Sequence, residues 1–253
     1  MTTAPLHSTS KVRQAASAAV LREWGRRVHA EYRSAAFTQH LTLWLIQLGA
    51  SPDLLDAGLR IVADELAHAE LSHGVHVDAG GGPLGPVARE SLALPVVPGE
   101  PLEAAVTRAG VEIFCLGETV AVPLFKELRA ACAVDSARAA FDRILRDEVR
   151  HREFGWSLLA YLLDLPCQQE VHALVVRELP AMFARLRRSY ASGREDATSG
   201  LSDDDAAWGL MPAARYAEVL EATLERDYVP RFGTHGIDAR SAWQTATGSR
   251  SAP

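Results

Sequence analysis

The chain has few cysteines, no long apolar run, no excess of positive charge and no convincing strand pattern, and each lack removes a class of protein. Cys115, Cys132 and Cys167 are odd in number and far apart, and none belongs to a Cys-x-x-Cys pair. That argues against a disulfide framework, a structural zinc site and a rubredoxin-type site, and it fits a reducing, cytoplasmic setting. No apolar stretch approaches the roughly 20 residues that span a bilayer. Met1 to Ser10 is polar, carries Pro5 and lacks the apolar centre of a signal peptide. A cytoplasmic protein with no membrane partner is expected. A formal net charge of -6 offers no footprint for nucleic acid, so no nucleic-acid partner is expected either.

What the chain does contain is helical periodicity. With 253 residues and 48% hydrophobic content it supports one packed core. A single all-α domain over residues 1–253 is expected, with a core four-helix bundle at about 12–165, additional C-terminal helices at about 166–230, and flexible termini. The first helix is expected from about Lys11 to Leu48, with Val20, Trp24, Val28, Ala35, Leu41 and Leu45 at helical spacing. Gly49 stops it; Ser51 as N-cap and Pro52 at the first helical position start a second helix that runs to about Val77. Leu55, Val62, Leu66 and Ala69 form its buried side.

Glycines and prolines between 79 and 100 forbid any continuing helix. Fully extended, that segment reaches up to about 70 Å, more than the roughly 40 Å of the second helix. It is long enough to cross the whole bundle between helices 2 and 3. A third helix follows from about Leu102 to Ala133, with a kink or bulge expected at Pro123, and a fourth from about Ser136 to Leu163, capped near Asp135 or Ser136. A fifth is expected from about Gln168 to Ser189, kinked at Pro180. Then come a polar stretch to Pro212, whose Asp203-Asp204-Asp205 run reads as solvated surface, a sixth helix from about Ala213 to Tyr228, and an irregular tail.

Two turns carry the candidate chemistry. Asp64-Glu65-Leu66-Ala67-His68 and Asp147-Glu148-Val149-Arg150-His151 each place a carboxylate and an imidazole three residues apart, on one helix face, where both can hold one metal ion. Each is preceded by a helix bearing a glutamate in an apolar stripe, Glu31 and Glu118. Inward carboxylates there cost several kcal/mol unless a cation compensates. Four glutamates and two neutral imidazoles match two divalent ions, and oxygen and nitrogen donors without thiolate suit iron or manganese. Asp64 is expected to receive the other ring N–H of His151, and Asp147 that of His68.

Composition tempers the signal. With 9 His in the chain, about 0.6 Glu-x-x-His matches arise by chance, and Glu70-Leu71-Ser72-His73 is a third match. Glu23 and Glu112 compete with Glu31 and Glu118. The joint pattern of two matching pairs, similar intervals and a long central crossover favours the Glu65 and Glu148 pairs.

The order Glu31, Glu65-x-x-His68, Glu118, Glu148-x-x-His151 resembles the ferritin-like di-iron carboxylate superfamily, and Asp147 to His151 resembles its Asp-Glu-x-Arg-His signature. The resemblance covers roughly residues 20 to 165. It implies a ferritin-like bundle with two iron ions, a manganese–iron pair being the alternative. Glu31, Glu65 and His68 would hold one ion, and Glu118, Glu148 and His151 the other. Departures narrow the superfamily: there is no rubrerythrin-type Cys-x-x-Cys, Ile144 stands where some arylamine N-oxygenases have a further histidine, and Tyr32 leaves its helix about 100° from Glu31, which suits no radical tyrosine.

The expected function is an O2-activating oxygenase, of hydroxylase or N-oxygenase type, acting on a small organic substrate with an electron donor. Cys115, Val122, Phe125 and Ile144 are candidate pocket residues. The alternative is a ferroxidase or other iron-handling protein, and a homodimer is compatible with either.

Overall fold

The computed structural model describes residues 16–192 and 200–248, and among them every regular element is helical. Helix α1 is Ala18–Gln47, opened by Ser17, whose hydroxyl accepts from the Val20 amide. The expected stretch from Lys11 to Ala15 and both termini lie outside the described residues. At the far end Gly49 adopts φ +71, the left-handed conformation that glycine takes without a Cβ penalty, and the Ala50 amide closes back on the Leu45 carbonyl. Helix α2, Pro52–Asp78, therefore returns antiparallel along α1.

Three histidines fasten the crossover that follows. His76 lies between the carbonyls of Leu21 (3.1 Å) and Gly82 (3.2 Å), His29 Nε2 meets the Gly85 carbonyl at 3.0 Å, and His40 Nδ1 accepts from the Leu94 amide at 3.1 Å. Their partners come in rising order along α1, so the segment travels from the start of that helix toward its end. The next helix thus begins beside the end of α1 and runs parallel to α2, as a full-length crossover requires.

That third helical rod is one continuous run in three parts: α3, Leu102–Ala109; a π-helical segment, Gly110–Glu118; and α4, Thr119–Ala131. The irregularity expected at Pro123 lies upstream of it. The missing Pro123 amide deprives one carbonyl of its usual donor, which α4 tolerates; the register change is held by packing instead. Gly155 on α5 (Asp135–Leu163) lies against the backbone of Phe114 and Cys115, the Cys115 thiol reaches the Gly155 carbonyl, and the Tyr228 hydroxyl donates to the Leu116 carbonyl at 2.7 Å. The N-cap of α5 is Val134, without a side-chain cap, rather than Asp135 or Ser136; the Ala133 and Val134 amides both bond the Ala207 carbonyl.

The C-terminal part is more helical than expected. Helix α6 (Gln168–Arg187) contains Pro180 and passes into a π turn, Arg188–Ser192. After it come α7 (Asp203–Ala207), α8 (Ala213–Thr223), a π turn (Leu224–Tyr228), α9 (Val229–Gly233) and α10 (Ala239–Thr247). As far as Gly248 the tail is therefore helical rather than irregular: Trp243 of α10 packs edge-on against Phe183 of α6. Asp205 is also not solvated surface. It is buried, accepts from the Ser202 amide in a capping box, and takes the Ser17 hydroxyl. Burial raises this carboxyl group, but those hydrogen bonds outweigh it and hold its pKa below the usual value. That stabilisation is present above the ordinary aspartate range and is lost as pH falls through the depressed value. Asp205→Ala is expected to cost about 1 to 2 kcal/mol in urea denaturation at neutral pH, with the difference from wild type shrinking in acid.

Leu66, expected inside, is 47% exposed. The buried line of α2 passes through Glu65, His68, Ala69, Ser72 and Val75, and Leu66 projects about 100° from Glu65. No described helix is long and apolar enough to cross a membrane.

Candidate metal centre

Mid-bundle, α1 brings Glu31, α2 brings Glu65 and His68, the π segment ends on Glu118, and α5 brings Glu148 and His151. The six converge. Ligand atoms of Glu31, Glu65 and His68 lie within 4.8 Å of one another, as do those of Glu65, Glu118, Glu148 and His151. Glu65 belongs to both groups. His68 Nδ1 stands 3.7 Å from Glu65 and 3.8 Å from Glu148; His151 Nδ1 stands 3.4 Å from Glu65 and 3.6 Å from Glu148. Each imidazole thus points the same ring nitrogen at both central carboxylates. Two donors on one ion, at bonds of about 2.1 Å, sit about 3 to 4 Å apart, so the spacing admits metal between them.

The competing residues face elsewhere. Glu23 pairs with Arg26 and Glu112 with Arg185, and Glu70 and His73 are exposed. Tyr32 is exposed as well.

Both histidines are fully buried, and their outer nitrogens meet carboxylates: His68 Nε2 lies 3.2 Å from Asp147, and His151 Nε2 lies 3.4 Å from Asp64. Arg150 bridges Asp64 (2.9 Å) and Asp147 (2.7 Å), and Arg143 bonds Asp147 at 2.5 Å and Asp64 at 3.3 Å. Burial raises Asp147, but Arg143, His68 and Arg150 outweigh it and keep the carboxyl low. With Nε2 committed outward as donor, Nδ1 is the acceptor that points inward, the form a metal requires. Asp147→Ala removes the acceptor that orients His68 and is expected to weaken metal binding about 10- to 100-fold, measured by chelator competition.

Without metal the cluster is frustrated. Glu65 Oε2, His68 Nδ1, Glu148 Oε2 and His151 Nδ1 are buried and have no hydrogen-bond partner, a costly arrangement that two cations would resolve. Burial, then Glu65 and Glu148, raises Glu31 well above its usual value, and burial, then Glu148 and Glu65, does the same for Glu118. Burial pulls His151 down, but Glu148 and Glu65 outweigh it and push it up to about 12. Such groups hold protons that a metal must displace. Metal uptake near pH 7 in weak buffer is expected to release roughly one proton or more per chain, and affinity to fall as pH drops.

No family model matches the chain, and no curated protein matches it. A solved structure, of a protein with aldehyde deformylating oxidase activity from Synechococcus, superposes with a TM-score of 0.51 at 18% identity, over 93% of this chain and 99% of that one. The fold is ferritin-like.

Beside the centre of this ferritin-like bundle lies a cavity of about 210 Å³. Glu31, Glu65, Glu118 and Glu148 form its floor; Ala121, Leu124, Phe125 and Leu128 supply apolar wall, and Tyr190 and Tyr216 come from the C-terminal part. Phe125 is the one expected pocket residue that lines it. Cys115 and Ile144 are sealed in the core and Val122 is partly buried, none of them on the cavity wall. Sequence reasoning missed Ser34, whose hydroxyl donates to Glu65 at 2.9 Å, and Arg27, which lines the cavity. Helical spacing from Glu31, three residues after and four before, was the available signal.

Proposed function

We propose that this protein is a di-iron, O2-dependent oxygenase that acts on a small organic molecule in the cavity beside Glu31 and Glu118. The observation that supports it most is the set of four orphaned buried ligand atoms, on Glu65, His68, Glu148 and His151, beside a partly apolar cavity that Glu65 and Glu148 help to line. The likeness to a protein with aldehyde deformylating oxidase activity agrees with this reading.

Bound iron supplies the redox chemistry with O2 and an external electron donor. The chain's own residues would do the rest. Glu65, common to both ligand groups, would serve both ions; Glu31 with His68 would complete one side, and Glu118, Glu148 and His151 the other. Asp147 and Asp64 hold the imidazole orientations, and the Ser34 hydroxyl steadies Glu65. Leu124, Phe125 and Leu128 exclude water from the side on which a substrate would sit.

The test is metal retention and turnover. After aerobic addition of Fe(II), the oxygenase reading expects about two irons retained per chain, no mineral, and O2 uptake that depends on reductant and substrate. Oxidation of many iron equivalents with mineral growth would establish iron handling instead. Iron content no higher than background would remove both readings.

A further inference from the structure

The cavity has a charged wall that metal binding leaves unused. Arg27 is 5% exposed and lines the cavity one turn before Glu31. Its guanidinium carbon lies 5.0 Å from the ring of Trp24, 5.6 Å from Phe125 and 5.0 Å from Phe141, so aromatic faces hold the group in place. Its Nε is buried without a hydrogen-bond partner. The terminal nitrogen stands 3.1 Å from Glu23, but Arg26 already bonds both oxygens of that carboxylate, at 2.8 and 2.9 Å. One carboxylate serves two guanidinium groups, and positive charge remains at the wall.

Among the described residues that line the site, nothing else cancels it. Two divalent ions balance the four glutamates, and Arg143 with Arg150 balances Asp64 with Asp147. A residual charge on so buried a group is costly unless a ligand supplies the counter-charge. The excess is a single charge and the cavity is small, which suits a monoanion with an apolar body.

We infer that the substrate is a small carboxylic acid, its carboxylate paired with Arg27 and its carbon skeleton lying along Leu124 and Phe125 toward the metal centre. The inference rests on the two-metal reading above. It is tested by calorimetric titration of protein loaded with Mn(II), with metal content measured first, against octanoate, phenylacetate and their primary amides. The acids are expected to bind at least about tenfold tighter than the amides. Arg27→Met erases that preference, Arg27→Lys restores most of it, and Glu23→Gln tightens acid binding by freeing both arginines.

Survival of the preference in folded Arg27→Met would mean that the metals hold the carboxylate, and would overturn the inference. So would equal binding of acid and amide, or no binding of either, by the wild-type protein. Should Arg27→Met fail to fold, an unchanged acid affinity in Glu23→Gln overturns it. Fewer than two ions per chain, seen before any ligand is added, removes the functional reading and this inference with it.

Discussion

Glu65→Ala is expected to abolish binding of both metals, whereas Glu31→Ala abolishes one. The two ligand groups share Glu65 and no other residue, and its oxygens face both His68 and His151. Losing it opens both sites, leaving retained metal near zero, against about one ion for Glu31→Ala. Elemental analysis after desalting measures this. The two variants also separate metal loss from misfolding, because each removes a buried carboxylate that is costly in the metal-free state. Circular dichroism of both metal-free variants is expected to match wild type. Equal metal loss in the two variants would contradict a shared Glu65.

Gly155→Ala is expected to be strongly destabilising. A Cβ at Gly155 would fall 2.6 Å from the Phe114 carbonyl carbon and Cβ, and 2.8 Å from the Cys115 nitrogen. Two of those three atoms are backbone, so the π segment itself must move. Overpacking of this kind costs about 3 kcal/mol, which for a chain of this size lowers Tm by roughly 6 to 12 °C. The same movement displaces Glu118, so binding of the ion it shares with His151 weakens together with the fold. Gly74→Ala on α2 is the control: its Cβ meets nothing within 4 Å. It is expected to be neutral or stabilising by up to about 1 kcal/mol. Thermal denaturation and metal titration of the pair check both halves.

The coupling of Gly155 to Glu118 shows which parts of the molecule periodicity reveals. Long apolar repeats such as Trp24, Ala35, Leu41 and Leu45 locate α1 because its stripe faces one core. The Gly- and Pro-rich crossover announces itself by what it forbids. Near the centre the same logic weakens, because ligands take the place of apolar residues in the buried line. Leu66 was drawn inward by its neighbours for that reason, while Glu65 and His68 hold the inner positions. Each Glu-x-x-His pair is visible as local spacing, but the choice of Glu31 over Glu23, or Glu118 over Glu112, needs the partner arginines that draw the competitors outward.

The π segment left no local mark. Its register depends on Gly155, forty residues from Cys115, and on Tyr228, at the end of the expected sixth helix and 112 residues from Leu116. Asp205 was hidden in a run of three acids: its Ser202 partner is local, but Ser17, at the start of α1, is 188 residues away. Arg27 was hidden by its charge: an arginine on a helix is normally solvated, and only the rings of Trp24, Phe125 and Phe141 closing around it reveal otherwise.

The most direct measurement is an anomalous-scattering map at the iron edge from crystals of iron-loaded protein. Two iron peaks are expected between the ring Nδ1 atoms of His68 and His151, one beside Glu31, the other beside Glu118, with Glu65 reaching both. A single peak, peaks outside this cluster, or none in protein whose iron content exceeds one per chain would contradict that expectation.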